Sequence, residues 1–218
     1  MKIQREAVIA TALDLLDEVG VEGLTMRRLA QELDIKAASL YWHFANKQAL
    51  MNGIADALIE GVAHEHQDEL SPSTAWFNAV SVTAHEIRNA LRKRRDGARV
   101  YAGTYVITDN TLRVAEALIG PLCEAGASTR LASWGAFSII YYVMGFVMEE
   151  QPLADPSEIS QAIATHRDQF EALAAKGYPH VLAAAADLFS PDFDARFDAG
   201  LDLLIAGLRM KIAESSHA

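Results

Sequence analysis

A single cysteine, Cys123, is present among 218 residues. No disulfide can therefore close within the chain, which fits a reducing compartment, and a lone thiol of this kind is expected to be buried packing. Rings are scarce too, at 8% of residues. Runs of alternating apolar and polar residues long enough for a strand are missing, as are repeats and low-complexity tracts. There is no glycine-rich phosphate loop, no nucleophile elbow and no HExxH pair. "HEH" at 64–66 puts its two histidines on different faces of a helix, so no metal site is expected and no cofactor is implied. The opening "MKIQREAVIA" spreads its charges and holds no long apolar run, so a secretory leader is not expected. The most apolar stretch, Ala132 to Met148, is a little short of a membrane span and runs into Glu149 and Glu150; it reads as a buried helix. A cytoplasmic protein is the expectation.

What is there is ordinary in bulk, with 51% hydrophobic and 22% charged residues, and the length allows one larger domain or two small ones. The net charge of −10 argues at first against nucleic acid, because polyanions are bound through Lys and Arg. The sum hides an asymmetry. Residues 1–50 hold six Lys/Arg and seven Asp/Glu, leaving −1, whereas residues 51–218 hold thirteen and twenty-two, leaving −9. Within 25–48, Arg27, Arg28, Lys36 and Lys47 oppose only Glu32 and Asp34. Any contact with a polyanion belongs to this segment.

Almost everything else reads at helical period. Val8, Ile9, Ala12, Leu13, Leu16 and Val19 form one apolar face that Gly20 closes. Thr25 is placed to cap "MRRLAQEL", "SLYWHF" follows as about two turns, and Asn46 is placed to cap a helix running to about Gln67. Further helices are predicted at about 74–93, 110–124 and 128–150, then one carrying Ile159, Ile163, His166, Phe170 and Leu173, then "HVLAAAADLF". A last helix should open with Ser190 as cap and Pro191 in its first turn. The fold class is all-α. Residues 1–46 make a three-helix, helix-turn-helix unit, 47–67 a connecting helix, and 68–218 a larger helical bundle.

Two short helices joined by a tight turn on a supporting helix suit the major groove of DNA. Leu40 and Phe44 share one helical face and pack inward. Tyr41, Trp42 and His43 cannot all share it, and their hydroxyl, indole and imidazole groups can donate to phosphates.

"ALDLLDEVGVEGLTMRRLAQEL" followed by "SLYWHFANKQAL" closely resembles the N-terminal domain of the TetR family of bacterial transcriptional regulators, and the Tyr-Trp-His run points to its tetracycline-repressor branch. "RRDGARVYAGT", "GFVMEEQ" and "FDAGLDLLIAGL" extend the resemblance beyond that domain, and about 152–180 has no close counterpart. The resemblance implies a homodimeric, ligand-responsive repressor that binds double-stranded, pseudo-palindromic operator DNA. It implies base contacts from Arg27, and phosphate contacts from Thr25, Ser39, Tyr41, Trp42, His43 and Lys47. Where the tetracycline repressor has glutamine and proline, this chain has Ala37 and Ala38, and Lys36 replaces a glutamate. Alanine lacks the bidentate contact glutamine makes to adenine, so a different operator is expected. Asp34 stands at the usual turn glycine.

For the bundle, the resemblance implies a four-helix dimer interface built from the Ala132–Met148 helix and the last helix, the latter carrying Phe197, Gly200, Leu201, Leu204, Gly207 and Leu208. It places a ligand among Thr83, Ile87, Tyr101, Thr104, Tyr105, Phe137, Ile140, Tyr141 and Glu149. Nearly every tetracycline contact is replaced, with Tyr101 at a metal-binding histidine and Ala63 at another histidine. Metal-bound tetracycline is therefore not expected; a small organic effector, aromatic or polyketide-like, suits the phenols and apolar groups. The remaining readings are an activator or ligand-independent regulator of the same family, or a carrier or enzyme using the C-terminal pocket, for which no acid–base or nucleophile constellation is found.

Overall fold

The structure, a computed structural model, describes residues 4–64, 76–151 and 166–215 of the chain. Every regular element among these residues is a helix. The first unit is α1 (Arg5–Gly23), α2 (Met26–Glu32) and α3 (Ala37–Leu40), closed by the start of α4 (Lys47–Leu58). Its core is Val8, Leu16, Leu24, Leu29, Leu40, Phe44, Leu50 and Ile54, all buried. Capping defines its helix starts: Thr25 Oγ1 accepts the Arg28 N–H at 3.1 Å and Asn46 Oδ1 accepts the Ala49 N–H at 2.8 Å, each removing one orphan donor. Asp34 takes the left-handed conformation, φ 50°, in the turn between α2 and α3. Aspartate tolerates this region better than most residues, so the turn survives without a glycine.

Two expectations are corrected in this unit. The recognition helix is shorter than two turns: α3 begins at Ala37 and passes into a turn at Tyr41 to His43. The Leu40 carbonyl accepts both the His43 and the Phe44 N–H at 2.9 Å, so the helix tightens and Phe44 swings into the core. The connecting helix stops at Leu58 instead of reaching 67, and turns occupy 59–64; residues 65–67 lie outside the described residues. The freed carbonyls of Glu60 and Val62 accept hydrogen bonds from the Arg113 guanidinium at 2.7 and 2.9 Å. Ala63 has φ 60° and donates its N–H to Glu86 Oε2 at 2.8 Å. Tertiary partners thus replace the helical turn that would have continued.

The bundle consists of α5 (Trp76–Arg92), α6 (Gly97–Ala102), α7 (Asp109–Glu124), α8 (Thr129–Glu150) and, after the smaller pieces α9 (166–174), α10 (Pro179–Ala183) and α11 (Ala185–Leu188), the long α12 (Phe193–Ser215). "HVLAAAADLF" is two short helices, because Ala184 leaves helical geometry at ψ 2°. The last helix starts later than Ser190 and Pro191 suggested. Asp192 Oδ1 accepts the Ala195 N–H at 2.9 Å and Ser190 Oγ only supports the preceding turn; a carboxylate is favoured at the positive end of a helix. Ile159 and Ile163 lie outside the described residues. Cys123 is half-buried against the core, short of the full burial expected.

A buried ion pair sits where α5, α8 and α12 meet. Arg88 donates from Nε to Glu150 Oε1 at 3.0 Å and from Nη2 to Oε2 at 2.6 Å, while Nη1 lies 2.8 Å from Asp194. The guanidinium also stacks 4.6 Å from the Phe197 ring centre and 5.2 Å from that of Phe146. Burial acts to lower the Arg88 pKa, but the hydrogen bonds and charges of Glu150 and Asp194 outweigh it, and the pKa is raised. The fork satisfies both partners in the bidentate geometry that arginine favours. Removing one partner leaves an uncompensated buried charge, so Arg88→Met should cost about 3–5 kcal/mol of stability by urea denaturation. Arg88→Met combined with Glu150→Leu should recover most of that loss; equal instability of the single and double variants would show that the charge is not the cause.

Candidate functional site

The sequence-predicted DNA-contacting residues fall on one continuous segment from Thr25 to Lys47. The ring cluster divides as expected, although a turn rather than a helix does it: Leu40 and Phe44 are buried, while Trp42 is 89% exposed, Tyr41 is exposed and His43 is half-buried. An indole so exposed adds nothing to the core, and its N–H is free for an acceptor outside the chain. Arg27, Lys36, Ala37 and Lys47 are exposed and Ser39 is half-buried. Arg27 has no ion-pair partner among the described residues, whereas Arg28 reaches Glu18 at 3.4 Å. This is the electrostatic division that a polyanion contact needs: one arginine held by the chain, the other left for a ligand. Thr25 spends its hydroxyl oxygen as a cap acceptor yet keeps its hydroxyl hydrogen to donate. Arg5, which sequence reasoning did not single out, stacks 5.0 Å over the Phe44 ring and so covers the unit's core from the α1 side.

The predicted ligand positions are dispersed over three environments. Thr83 and Ile87 are buried on the inner face of α5, and the Thr83 hydroxyl donates to the Ala79 carbonyl at 2.9 Å. Tyr101 and Ile140 pack partly buried against the same core, and burial followed by the charge of Asp56 raises the Tyr101 phenol pKa. Thr104 is half-buried and donates to the Tyr101 carbonyl at 2.9 Å. The other four positions do not join them. Tyr105 is 97% exposed, and Phe137 and Tyr141 stack on each other on the outer face of α8, with ring centres 5.7 Å apart. Glu149 is exposed; its neighbour Glu150 is the carboxylate that turns inward to Arg88. One helical step of 100° separates the two, and the sequence could not say which faces in. His64 is exposed, and His66 lies outside the described residues.

The predicted dimer positions divide between the chain's own core and its surface. Phe197 and Leu201 are buried in the chain's own core. A Cβ at Gly200 would collide with the Tyr142 ring, whose hydroxyl donates to the Phe197 carbonyl at 2.8 Å. Gly200 therefore admits α8 of its own chain. Leu204 and Leu208 are half-buried, Leu208 against Gly135 of α8. Gly207, unlike Gly200, has open space before it. It lies between Leu203 and Met210, which are exposed, Leu203 at 76%. On α8 the matching outward stripe is Trp134, Phe137, Tyr141 and Met148. The helix is long and apolar enough to cross a membrane by length and composition, and 33% of its apolar window is buried inside the chain. Leu203, Met210 and Trp134 escaped sequence reasoning because both helices carry apolar residues nearly all round, which erases the phase signal.

Comparison with known proteins agrees with this two-part arrangement. Residues 8–54 match the family model for bacterial regulatory proteins of the tetR family, and residues 70–212 match that of the tetracyclin repressor-like C-terminal domain. The tetracycline repressor protein class C of Escherichia coli is 38% identical over 209 residues, covering 95% of this chain and 91% of the relative. A possible TetR family transcriptional regulator from Streptomyces coelicolor A3(2) superposes with a TM-score of 0.82 at 40% identity, over 95% of this chain and 99% of the other. ActR of Streptomyces coelicolor, in complex with actinorhodin, superposes with a TM-score of 0.84 at 27% identity, over 96% and 98%. With family models spanning both of its units and relatives matching nearly its whole length, the chain belongs to the TetR family and is a DNA-binding transcriptional regulator.

Proposed function

We propose that the protein is a homodimeric repressor that grips a pseudo-palindromic operator through α2, α3 and the first turn of α4, and that a small organic effector in the bundle releases it. The observation that carries the reading is the exposed Trp42 and Tyr41, with an exposed Arg27 that has no ion-pair partner among the described residues, on a unit whose apolar core is buried. Arg27 and Lys36 supply groups for base edges; Thr25, Ser39, Tyr41, Trp42, His43 and Lys47 supply phosphate anchors. Ala37 offers only a methyl, which suits thymine. Two copies pair through the outward stripe of α8 with Leu203, Gly207 and Met210 of α12, and Leu204 and Leu208 flank the contact. Such pairing covers the rings that the monomer leaves in water and sets the two recognition helices about one helical turn of DNA apart. The effector enters among Ile87, Tyr101, Thr104 and Ile140, where α5, α6 and α8 meet; Thr83 lines the same inner face of α5. The DNA target fits a cytoplasmic location.

The link between effector and reader is α4. Its Asp56 accepts hydrogen bonds from Thr108 Oγ1 at 2.6 Å and Asn110 Nδ2 at 3.0 Å, and Gln48 reaches the Gly103 carbonyl at 3.5 Å. Movement at the start of α7 or the end of α6 is thereby passed to the helix that carries Asn46 and Lys47. A ligand favouring one position of α6 shifts the population of reader orientations.

A gel shift with intergenic DNA upstream of the protein's own gene should give a palindrome-dependent band. Arg27→Ala should weaken it by about 1–3 kcal/mol; undiminished affinity would remove Arg27 from base reading. Trp42→Ala should weaken DNA binding while changing stability by no more than about 0.5 kcal/mol, and Phe44→Ala should cost about 3–5 kcal/mol of stability. In sedimentation equilibrium, Trp134→Glu with Leu203→Glu should turn dimer into monomer, and a persisting dimer would place the interface elsewhere.

A further inference from the structure

We propose that Asp96 is the positioning residue that holds the DNA-reading unit in one orientation on the sensor bundle, by gripping the end of α1. The inference rests on the assignment of these two units to reading and sensing. Asp96 sits in the turn between α5 and α6 with φ 57°, a left-handed backbone. Its Oδ2 accepts the Val21 N–H at 2.9 Å, and its Oδ1 accepts from Arg99 at 3.2 Å. Arg99 in turn pairs with Glu22 of α1 at 2.9 Å. One carboxylate thus binds a backbone donor of the reader and a cation that itself holds the reader.

The surroundings fit this grip from both sides. α1 kinks three residues before its end, at Gly20, which takes φ 70° and ψ 174°, a conformation open essentially to glycine alone. A Cβ at Gly20 would stand 2.9 Å from Asp96 Oδ2 and 3.2 Å from Arg95 Nε, so both side chains reach close against the kink. On the bundle side, a Cβ at Gly97 would collide with the Leu91 carbonyl oxygen, so glycine lets the turn lie against the end of α5. Around the grip, acids of α1 meet the basic run of the α5–α6 turn. Arg94 binds Asp17 at 2.6 Å and Asp14 at 3.1 Å; the Arg95 N–H binds Asp17 Oδ1 at 2.8 Å, and its guanidinium binds the Glu18 carbonyl at 3.0 Å. Gln151, at the end of α8, donates to the Arg94 carbonyl at 2.6 Å and fixes the turn to the bundle.

Most of these ion pairs are exposed and individually weak. The Asp96–Val21 bond is part-buried, joins a side chain to a backbone donor and acts where the chain direction of α1 is decided. It is the contact that converts a diffuse charge attraction into a fixed angle. A reader tilted off that angle no longer presents its recognition helix at the groove spacing set by the dimer.

The test uses the full-length protein without DNA or effector, so failure of the operator or effector reading leaves its outcome intact. Asp96→Gly keeps the left-handed backbone and loses the acceptor; Asp96→Asn keeps both. Spin labels at Glu32→Cys and Glu124→Cys, in a Cys123→Ser background diluted with unlabelled chains, report the angle between the units. Hydrogen–deuterium exchange reports the amides of 20–24. Asp96→Asn should match the parent. Asp96→Gly should broaden the label distance distribution and speed exchange at 20–24 by about tenfold or more, with the exchange of α5 and α8 and the urea midpoint of the bundle unchanged. An unbroadened distribution in Asp96→Gly, an asparagine variant as loose as the glycine one, or loss of protection in all helices alike would each overturn the proposal.

Discussion

The buried guanidinium of Arg88 constrains the whole bundle. A charge removed from water must be paired and fully hydrogen-bonded, and Arg88 meets that demand only where Glu150 of α8, Asp194 at the start of α12 and the rings of Phe146 and Phe197 converge. Three helices distant in sequence are therefore held to one mutual arrangement. The ends of α5 and α8 are brought together by it, and Gln151, the next residue after Glu150, ties the α5–α6 turn at the Arg94 carbonyl. That turn carries the arginines and the aspartate on which the reader rests. Specificity of packing at the bundle's centre thus extends outward to the joint between the two units.

The two units differ in how they are made rigid. The reader is a small apolar core with caps at Thr25 and Asn46, and it leaves Trp42, Tyr41 and Arg27 exposed outside that core. The bundle uses close helix approach, with Gly135 under Leu208 and Gly200 under Tyr142. Between them lie polar contacts: the acids of α1 against Arg94, Arg95 and Arg99, and Asp56 of α4 against Thr108 and Asn110. Polar joints of this sort shift more readily than packed apolar cores.

How much of this was legible follows from the chemistry of particular residues. Leu40 and Phe44 against Tyr41 and Trp42 could be sorted by spacing, because the turn that follows α3 brings Phe44 back to the side of Leu40 and leaves Tyr41 and Trp42 in solvent. Thr25 and Asn46 could be named as caps because a side-chain oxygen beside an orphan donor is a local interaction. Asp34 could be accepted at a glycine position on intrinsic backbone preference. The ligand and dimer positions resisted, since α8 and α12 are apolar on nearly every face and residues such as Phe137, Tyr141, Phe197 and Leu201 look alike in a sequence. The ends of α4 and α12 moved as well, because Arg113 and Asp192 offered partners that no local rule weighs.

By itself the sequence determined the all-α class, the reader's caps, its division into core and exposed rings, and the family. Each of these depends on residues within one or two helical turns of one another. Tertiary structure alone decided that Glu150 rather than Glu149 faces inward, that Phe197 and Leu201 serve the chain's own core, and that α4 ends at Leu58. It also decided that Asp96 meets the Val21 backbone 75 positions away. Such outcomes turn on which distant groups compete for the same space and the same hydrogen bonds, and that competition exists only once the chain is folded.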